Sequence, residues 1–220
     1  ALYAYAHLPE RFKPQRRILS DDLPVPSAKV AMLARSLEVF QEAGYVYIGM
    51  DHFALPDDLL AVAKRQGRLH RNFQGYSTQS DCDLIGLGVS AIGKVGATYS
   101  QNAKTLDDYY DCINHGRLPV VRGLALSRDD LLRRSVIMAL MCQGEILFES
   151  IEQAWLIDFS SYFAPELEQL EAMEAQGLVR LHEDSIEVTA MGWHFVRGVA
   201  MLFDRYLQGN RNRERFSRII

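Results

Sequence analysis

Apolar and polar positions in the first 127 residues alternate between the two periods that separate strands from helices. Leu2-Tyr3-Ala4-Tyr5-Ala6-His7 has a strand-like pattern and runs into a polar, proline-punctuated loop that lasts to Pro26. Ser27 then suits the N-cap of a helix with Val30, Leu33, Leu37 and Phe40 on one face and Gly44 as its stop. Tyr45-Val46-Tyr47-Ile48-Gly49 predicts a second strand, and Met50-Asp51-His52-Phe53 the loop after it. A helix follows from about Asp57 to Gln66, with aspartates in its first turn and Lys64 and Arg65 in its last, as the helix dipole favours. Leu84 to Ile92 predicts a third strand, apolar on both faces, and Thr105 to Asn114 a short helix before Gly116.

Strand, helix, strand, helix, strand is the alternation of a parallel α/β sheet or barrel. A complete eight-stranded barrel usually needs ~250 residues. The expectation is therefore the last strands and helices of an incomplete (β/α) barrel over 1–127, cut from a longer chain. From 128 to 220 the pattern turns mostly helical. Ser127-Arg128-Asp129-Asp130 caps a helix to about Cys142, a short helix lies near 151–157, and a longer one runs from about Pro165 to Gln176 before Gly177. Residues 178–181 and 186–189 alternate around Glu183-Asp184-Ser185, which predicts a β-hairpin, and Thr189 caps a final long helix to about Leu207. Helices followed by a hairpin and a helix resemble a winged-helix module.

Composition narrows the function classes. Apolar residues make up 48% and charged residues 24% of the chain, the balance of a globular protein. No apolar run approaches the ~18–20 residues of a membrane span, and no basic–apolar signal opens the chain. Cys82, Cys112 and Cys142 are odd in number and thirty residues apart, forming neither a disulfide framework nor a CxxC knuckle, which points to a reducing cytoplasm. The net charge is −4, and the C-terminal part carries more of it: residues 128–220 hold ten basic and fifteen acidic side chains. The helix before the hairpin would be the one to enter a DNA groove. It carries Glu166, Glu168, Glu171 and Glu174, with no Lys or Arg between Ser161 and Val179, so nucleic acid is not an expected partner. Arg211, Arg213, Arg215 and Arg218 form a basic tail of the kind that is ordinarily solvated.

Candidate chemistry is sparse. Gly86, Gly88 and Gly93 miss the GxGxxG spacing of a dinucleotide loop, and small residues inside a strand more simply allow a backbone or a flat ligand to approach. The six histidines make no HxxxH or HExxH pair. His7 and His52 each end a predicted strand, at the carboxyl edge where α/β barrels build active sites, and Asp51 beside His52 could orient its imidazole. The stretch His70-Arg71-Asn72-Phe73-Gln74-Gly75-Tyr76-Ser77-Thr78-Gln79 is too polar for core and predicts a ligand-binding loop at the barrel mouth.

Four strings are more specific than composition: Tyr5-Ala6-His7-Leu8-Pro9; Gly49-Met50-Asp51-His52-Phe53-Ala54 with Pro56-Asp57-Asp58; Arg71-Asn72-Phe73-Gln74-Gly75-Tyr76-Ser77-Thr78; and Gly86-Leu87-Gly88-Val89-Ser90-Ala91-Ile92. In this order and spacing they resemble the oxygen-independent coproporphyrinogen III oxidases, radical S-adenosylmethionine (SAM) enzymes of haem biosynthesis. The resemblance extends to the Phe216-Ser217-Arg218 ending. It implies the C-terminal half of such an enzyme, inactive alone, because the family's CxxxCxxC motif for a [4Fe–4S] cluster is not among these cysteines and belongs to an N-terminal barrel half.

The resemblance further implies that a reduced cluster, fed by an electron donor, converts SAM to a 5′-deoxyadenosyl radical. That radical removes a hydrogen from a propionate β-carbon of coproporphyrinogen III, and loss of CO₂ and an electron leaves a vinyl group. Two propionates react, giving protoporphyrinogen IX. By the same resemblance Phe73, Gln74 and Ile92 surround the cluster-bound SAM and Ala6 lies beside a second SAM. Phe73 and Ile92 would wall an adenine and Gln74 would bond its edge. His7, Asp51, His52 and Tyr76 are candidates for the substrate pocket by strand-end position, no catalytic residue is assigned, and no metal ligand is expected in this chain. The alternatives are a non-catalytic haem-binding or haem-delivery relative that shares the barrel, and a freestanding regulatory or scaffold module.

Overall fold

The computed structural model describes residues 1–80 and 82–208. The basic tail and the 216–218 ending lie outside the described residues.

Residues 1–9 form no strand; Ala1 to Ala6 are exposed, tied by the Leu2 N–H to the Asp51 carbonyl at 2.8 Å. Two 3₁₀ turns, Lys13–Arg17 and Ser20–Asp22, lead into α1, Pro26–Glu42. Proline, preset for a first helical turn, starts α1 one residue ahead of the expected Ser27 cap. Leu37 is buried but Val30 is exposed, so much of the apolar face is uncovered.

β1, Val46–Gly49, pairs antiparallel with β2, His52–Ala54, so the segment expected to be a loop is half turn and half strand. Asp58 caps α2, Leu59–Arg65, by accepting from the Leu60 N–H at 2.8 Å. β3, His70–Asn72, and β4, Gly75–Ser77, form a second antiparallel hairpin. The expected strand Leu84–Ile92 does not form. Gly86, Gly88 and Gly93 let residues 84–88 fold back on their own backbone: Leu84 bridges Lys94, and the Asn102 amide donates to the Gly86 and Gly88 carbonyls at 3.0 Å each. A Cβ on Gly86 would stand 2.8 Å from the Ile92 carbonyl oxygen, so the small residues serve a backbone approach. The strand proper is β5, Ile92–Val95, in an antiparallel sheet with β6, Thr98–Asn102, and β7, Val120–Ala125; α3, Leu106–Asn114, capped by Thr105, links β6 to β7.

Every strand pair among the described residues is antiparallel, so the parallel sheet expected over 1–127 is not formed by these residues. A strand needs a neighbour for its ladder, and residues 2–7 have none here.

The helical part follows the sequence closely. The Ser127–Asp130 capping box starts α4, Arg128–Gln143, and Gly144 at φ +74° ends it. Then come β8, Glu145–Leu147; α5, Phe148–Trp155; α6, Phe159–Tyr162; α7, Ala164–Ala175; β9, Val179–Leu181; and β10, Ser185–Val188. β9 and β10 are the expected hairpin, and β8 adds a third strand on the far side of β10. The expected long helix to Leu207 is broken. A 3₁₀ turn, Gly192–Phe195, precedes α8, Val196–Met201, and α9, Arg205–Gln208, is separate, because Leu202 and Phe203 turn inward and are buried.

One apolar core runs through both parts. Ile48, Ala54, Ala61, Ala63 and Leu69 belong to the same cluster as Val136, Leu140, Phe159, Phe163 and Phe203. The β5–β6–β7 sheet lies outside it, and all six residues of β7 are exposed.

Candidate functional site

The turn between β1 and β2 presents Asp51 and His52. Gly49 at φ +153° and Met50 at φ +51° make it tight; a non-glycine residue at positive φ costs ~1–2 kcal/mol, here held by the Tyr47 hydroxyl donating to the Met50 carbonyl at 2.9 Å. Lys64 on α2 fastens the strand end, its ammonium donating to the Tyr47 and Ile48 carbonyls at 2.9 and 2.7 Å and lying 4.3 Å from the Trp193 ring centroid. Burial lowers the Lys64 pKa; burial, then the Asp51 charge, pushes the Tyr47 phenol up to about 12. No hydrogen bond joins Asp51 to His52 among the described residues. Burial lowers the His52 pKa, opposed by the Asp51 charge and assisted by Arg71.

The β3–β4 hairpin turns in two residues, Phe73 and Gln74, with the Gln74 N–H bonded to Asn72 Oδ1 at 2.8 Å. Within it Tyr76 faces inward: its ring meets His52 edge-on at 5.4 Å, and its hydroxyl donates to the Met141 carbonyl of α4. Burial drives its phenol far above the ordinary range. A Cβ on Gly49 would overlap the Tyr76 hydroxyl, and one on Gly75 would lie 3.0 Å from His52 Nε2, so both glycines are spaces for this cluster.

At the hairpin tip Phe73 is 52% exposed and packs edge-on against Tyr99 of β6 at 5.0 Å. Tyr99 pairs with Lys94 and Gln101 with Ile92, so Tyr99 and Ile92 share one face of the sheet. The structure thus sets Phe73, with Gln74 beside it in the turn, near the sheet face that bears Ile92, and brings His52 of the β1–β2 hairpin, preceded by Asp51, against Tyr76 of the β3–β4 hairpin. Ala6 and His7 join neither by a described contact; Gln15 braces Ala6 through its carbonyl at 3.1 Å, and the Tyr5 hydroxyl lies 3.2 Å from His7 Nδ1. Arg71, Lys64 and Gln15 were not singled out from sequence. Arg71 lay within a quoted string, but nothing local signals that its guanidinium stacks on Tyr76.

The donor set for a cluster is dispersed. Cys82 is exposed, Cys112 half-buried and Cys142 buried with its thiol pushed up to about 12, and among the described residues no three His, Cys, Asp or Glu gather to hold a metal ion. A shallow cavity of about 250 Å³ beside α2, lined by Val62, Arg68 and Gln79 among others, contains none of the candidate residues.

Among the described residues, no helix is long and apolar enough to cross a membrane. A family model described as the HemN C-terminal domain matches residues 126–195. Over its whole length the chain is 54% identical to the oxygen-independent coproporphyrinogen III oxidase of Pseudomonas aeruginosa and 46% identical to that of Escherichia coli K12, covering 48% of each. It is 42% identical to the protein of the same name from Thermostichus vulcanus, of which it covers 68%. The solved structure described as coproporphyrinogen III oxidase (HemN) from Escherichia coli, a radical SAM enzyme, superposes with a TM-score of 0.88 at 48% identity, covering 92% of this chain and 47% of that one.

The α/β fold corresponds to the C-terminal part of a radical SAM enzyme. The chain belongs to the family of oxygen-independent coproporphyrinogen III oxidases. It spans about half the length of the Pseudomonas and Escherichia relatives.

Proposed function

We propose that this chain is the C-terminal half of an oxygen-independent coproporphyrinogen III oxidase, a cytoplasmic oxidoreductase that decarboxylates two propionates of coproporphyrinogen III to vinyl groups. The observation that carries this reading is the packing of Phe73, at the hairpin tip beside Gln74, against Tyr99 on the sheet face that bears Ile92. An exposed aromatic ring, a free-standing amide and an aliphatic wall suit the adenine of SAM. SAM, when bound, supplies hydrogen-atom abstraction; the residues here hold and orient it. Ala6, with no bulk beyond Cβ, would let a second SAM approach the backbone. His7, Asp51, His52 and Tyr76 would face the substrate.

The cysteines of this chain do not fit a [4Fe–4S] cluster. In this reading its ligands, and the electron donor that serves it, lie outside the 220 residues. The uncovered faces of α1 and β7 suit contact with an N-terminal barrel half, against which residues 2–7 would gain strand partners. Residues 1–127 would then complete the barrel, and 128–220 would form a helical domain whose β8–β10–β9 sheet and α7 support the winged-helix likeness. Its acidic α7 argues against nucleic acid as a partner.

The test is anaerobic reconstitution with iron and sulfide of the 220-residue chain and of the product of the whole reading frame that contains it. The chain alone is expected to remain colourless and inactive, and the whole product to take up a cluster and convert coproporphyrinogen III. A stoichiometric cluster on Cys82, Cys112 and Cys142 would overturn this division. A whole product that binds haem without turning over would favour the delivery relative.

A further inference from the structure

Two nitrogen-bearing side chains flank Tyr76; the function just proposed gives Arg71 no role and says of His52 only that it would face the substrate. The Arg71 guanidinium lies 4.9 Å from the Tyr76 ring centroid, and His52 meets the same ring edge-on. Each keeps a buried nitrogen with no hydrogen-bond partner, Arg71 Nη1 and His52 Nδ1. Buried polar atoms of this kind are rare in folded proteins.

The guanidinium interacts with the Tyr76 side chain, but among the described residues no carboxylate pairs with it. None of the ion pairs among the described residues includes Arg71. Cys142, close enough to feel its charge, is held neutral by burial. Asp51 acts on His52 and Tyr47, and it forms no ion pair with Arg71. The geometry is preset: Arg71 stands opposite Tyr76 in the β3–β4 register, and Gly75 lets the His52 ring lie against the hairpin. Tyr3, on the exposed N-terminal segment, stands edge-on to His52 at 6.4 Å.

We propose that Arg71 and His52 form a carboxylate-binding subsite, Arg71 giving the charge and a guanidinium N–H, His52 a ring N–H from Nδ1, and that its ligand is one carboxylate of a tetrapyrrole. The identity of the ligand rests on the function proposed above; the carboxylate chemistry does not. A guanidinium paired with a neutral ring donor distinguishes a carboxylate from its ester, which offers no charge.

The test uses coproporphyrin III, a stable porphyrin with the same four propionates, its tetramethyl ester, and sodium propionate, against the 220-residue chain. Arg71→Gln is expected to weaken coproporphyrin III binding ~10–100-fold, as loss of a charged hydrogen bond does, and to leave binding of the ester unchanged. Arg71→Lys keeps the charge and is expected to lose less; it also serves if the glutamine variant does not fold. Propionate is expected to shift the His52 ring resonances in the wild type and not in Arg71→Gln. If propionate shifts them but coproporphyrin III binds no better than its ester, the subsite stands and the tetrapyrrole reading fails. Equal binding of coproporphyrin III to wild type and variants, with no propionate effect at His52, would overturn the subsite.

Discussion

The Tyr76 hydroxyl donates to the Met141 carbonyl at 2.9 Å, across 65 residues of chain. Met141 lies in the last turn of α4, where carbonyls have no partner within the helix. The hairpin that carries Phe73 and Gln74 is thus pinned to the helical part by an acceptor that the helix itself leaves over. Tyr76→Phe keeps the ring and removes the donor. It is expected to lose about 1–2 kcal/mol, the worth of a half-buried hydrogen bond whose acceptor stays behind. Thermal unfolding should register this as a fall of a few degrees; an unchanged Tm would mean water replaces the phenol without loss.

Gly144 closes α4 at φ +74°, and a Cβ there would overlap the Trp193 ring. Gly144→Ala therefore meets two penalties, ~1–2 kcal/mol for the left-handed backbone and a further cost for displacing an indole. Trp193 also lies over Lys64, so tryptophan fluorescence should change along with stability. A variant as stable as the parent, with an unaltered spectrum, would contradict the packing described.

Asp129 accepts from Arg133 at 2.9 Å, from Arg205 at 2.7 Å and from the Tyr162 hydroxyl at 2.7 Å. Burial alone would raise its pKa, but these partners outweigh it and hold the carboxyl below the usual range; Asp130, similarly placed, is also lowered. A carboxylate depressed in the folded state adds stability above its unfolded pKa, near 4, and loses it as pH falls through the folded value. Stability is expected to hold from pH 7 to about 5 and then decline. Asp129→Asn should cost about 1–3 kcal/mol at pH 7, between the values for exposed and buried pairs, and flatten the acid decline. Urea unfolding at pH 7 and pH 3 compares the two proteins; parallel curves would exclude Asp129 from the acid response.

Gln74 carries the most specific expectation for SAM. In the whole reconstituted protein Gln74→Ala should leave the fold intact and weaken SAM binding ~10–100-fold, because the adenine edge loses its hydrogen-bond partner. Release of 5′-deoxyadenosine should fall at least as far, since a tilted ligand misplaces its reactive carbon. If Gln74 only shapes the hairpin, the variant loses Tm and keeps SAM affinity. Calorimetry and product release on one preparation separate the two.

Local signals reached the helical part almost intact. The Ser127–Asp130 box, the Gly144 and Gly177 stops and the hairpin at 179–188 each follow from a few neighbouring residues, which is why they were legible. Residues 2–7 alternate like a strand, yet alternation cannot supply a partner, and the run 84–92 looked apolar enough for a strand until its glycines folded it back. The helix after Thr189 broke for a tertiary reason, the burial of Leu202 and Phe203. Phe73, Gln74 and Ile92 came from family likeness; the register that puts Ile92 and Tyr99 on one face is a distant pairing that no window of sequence displays. Arg71 was missed for the same reason, since its place over the Tyr76 ring, away from any carboxylate, is a property of the fold.

The core that joins Ile48 and Leu69 to Phe203 also constrains how the chain comes off the ribosome. Ile48, Ala61 and Leu69 are made more than a hundred residues before Phe203, which belongs to the same cluster. The earlier-made residues of this core must therefore wait uncovered until the later ones emerge, and a translational pause or truncation before Phe203 would leave them exposed. Such a truncated product should be bound by chaperones or degraded, whereas a chain that extends past residue 203 carries these enclosing residues.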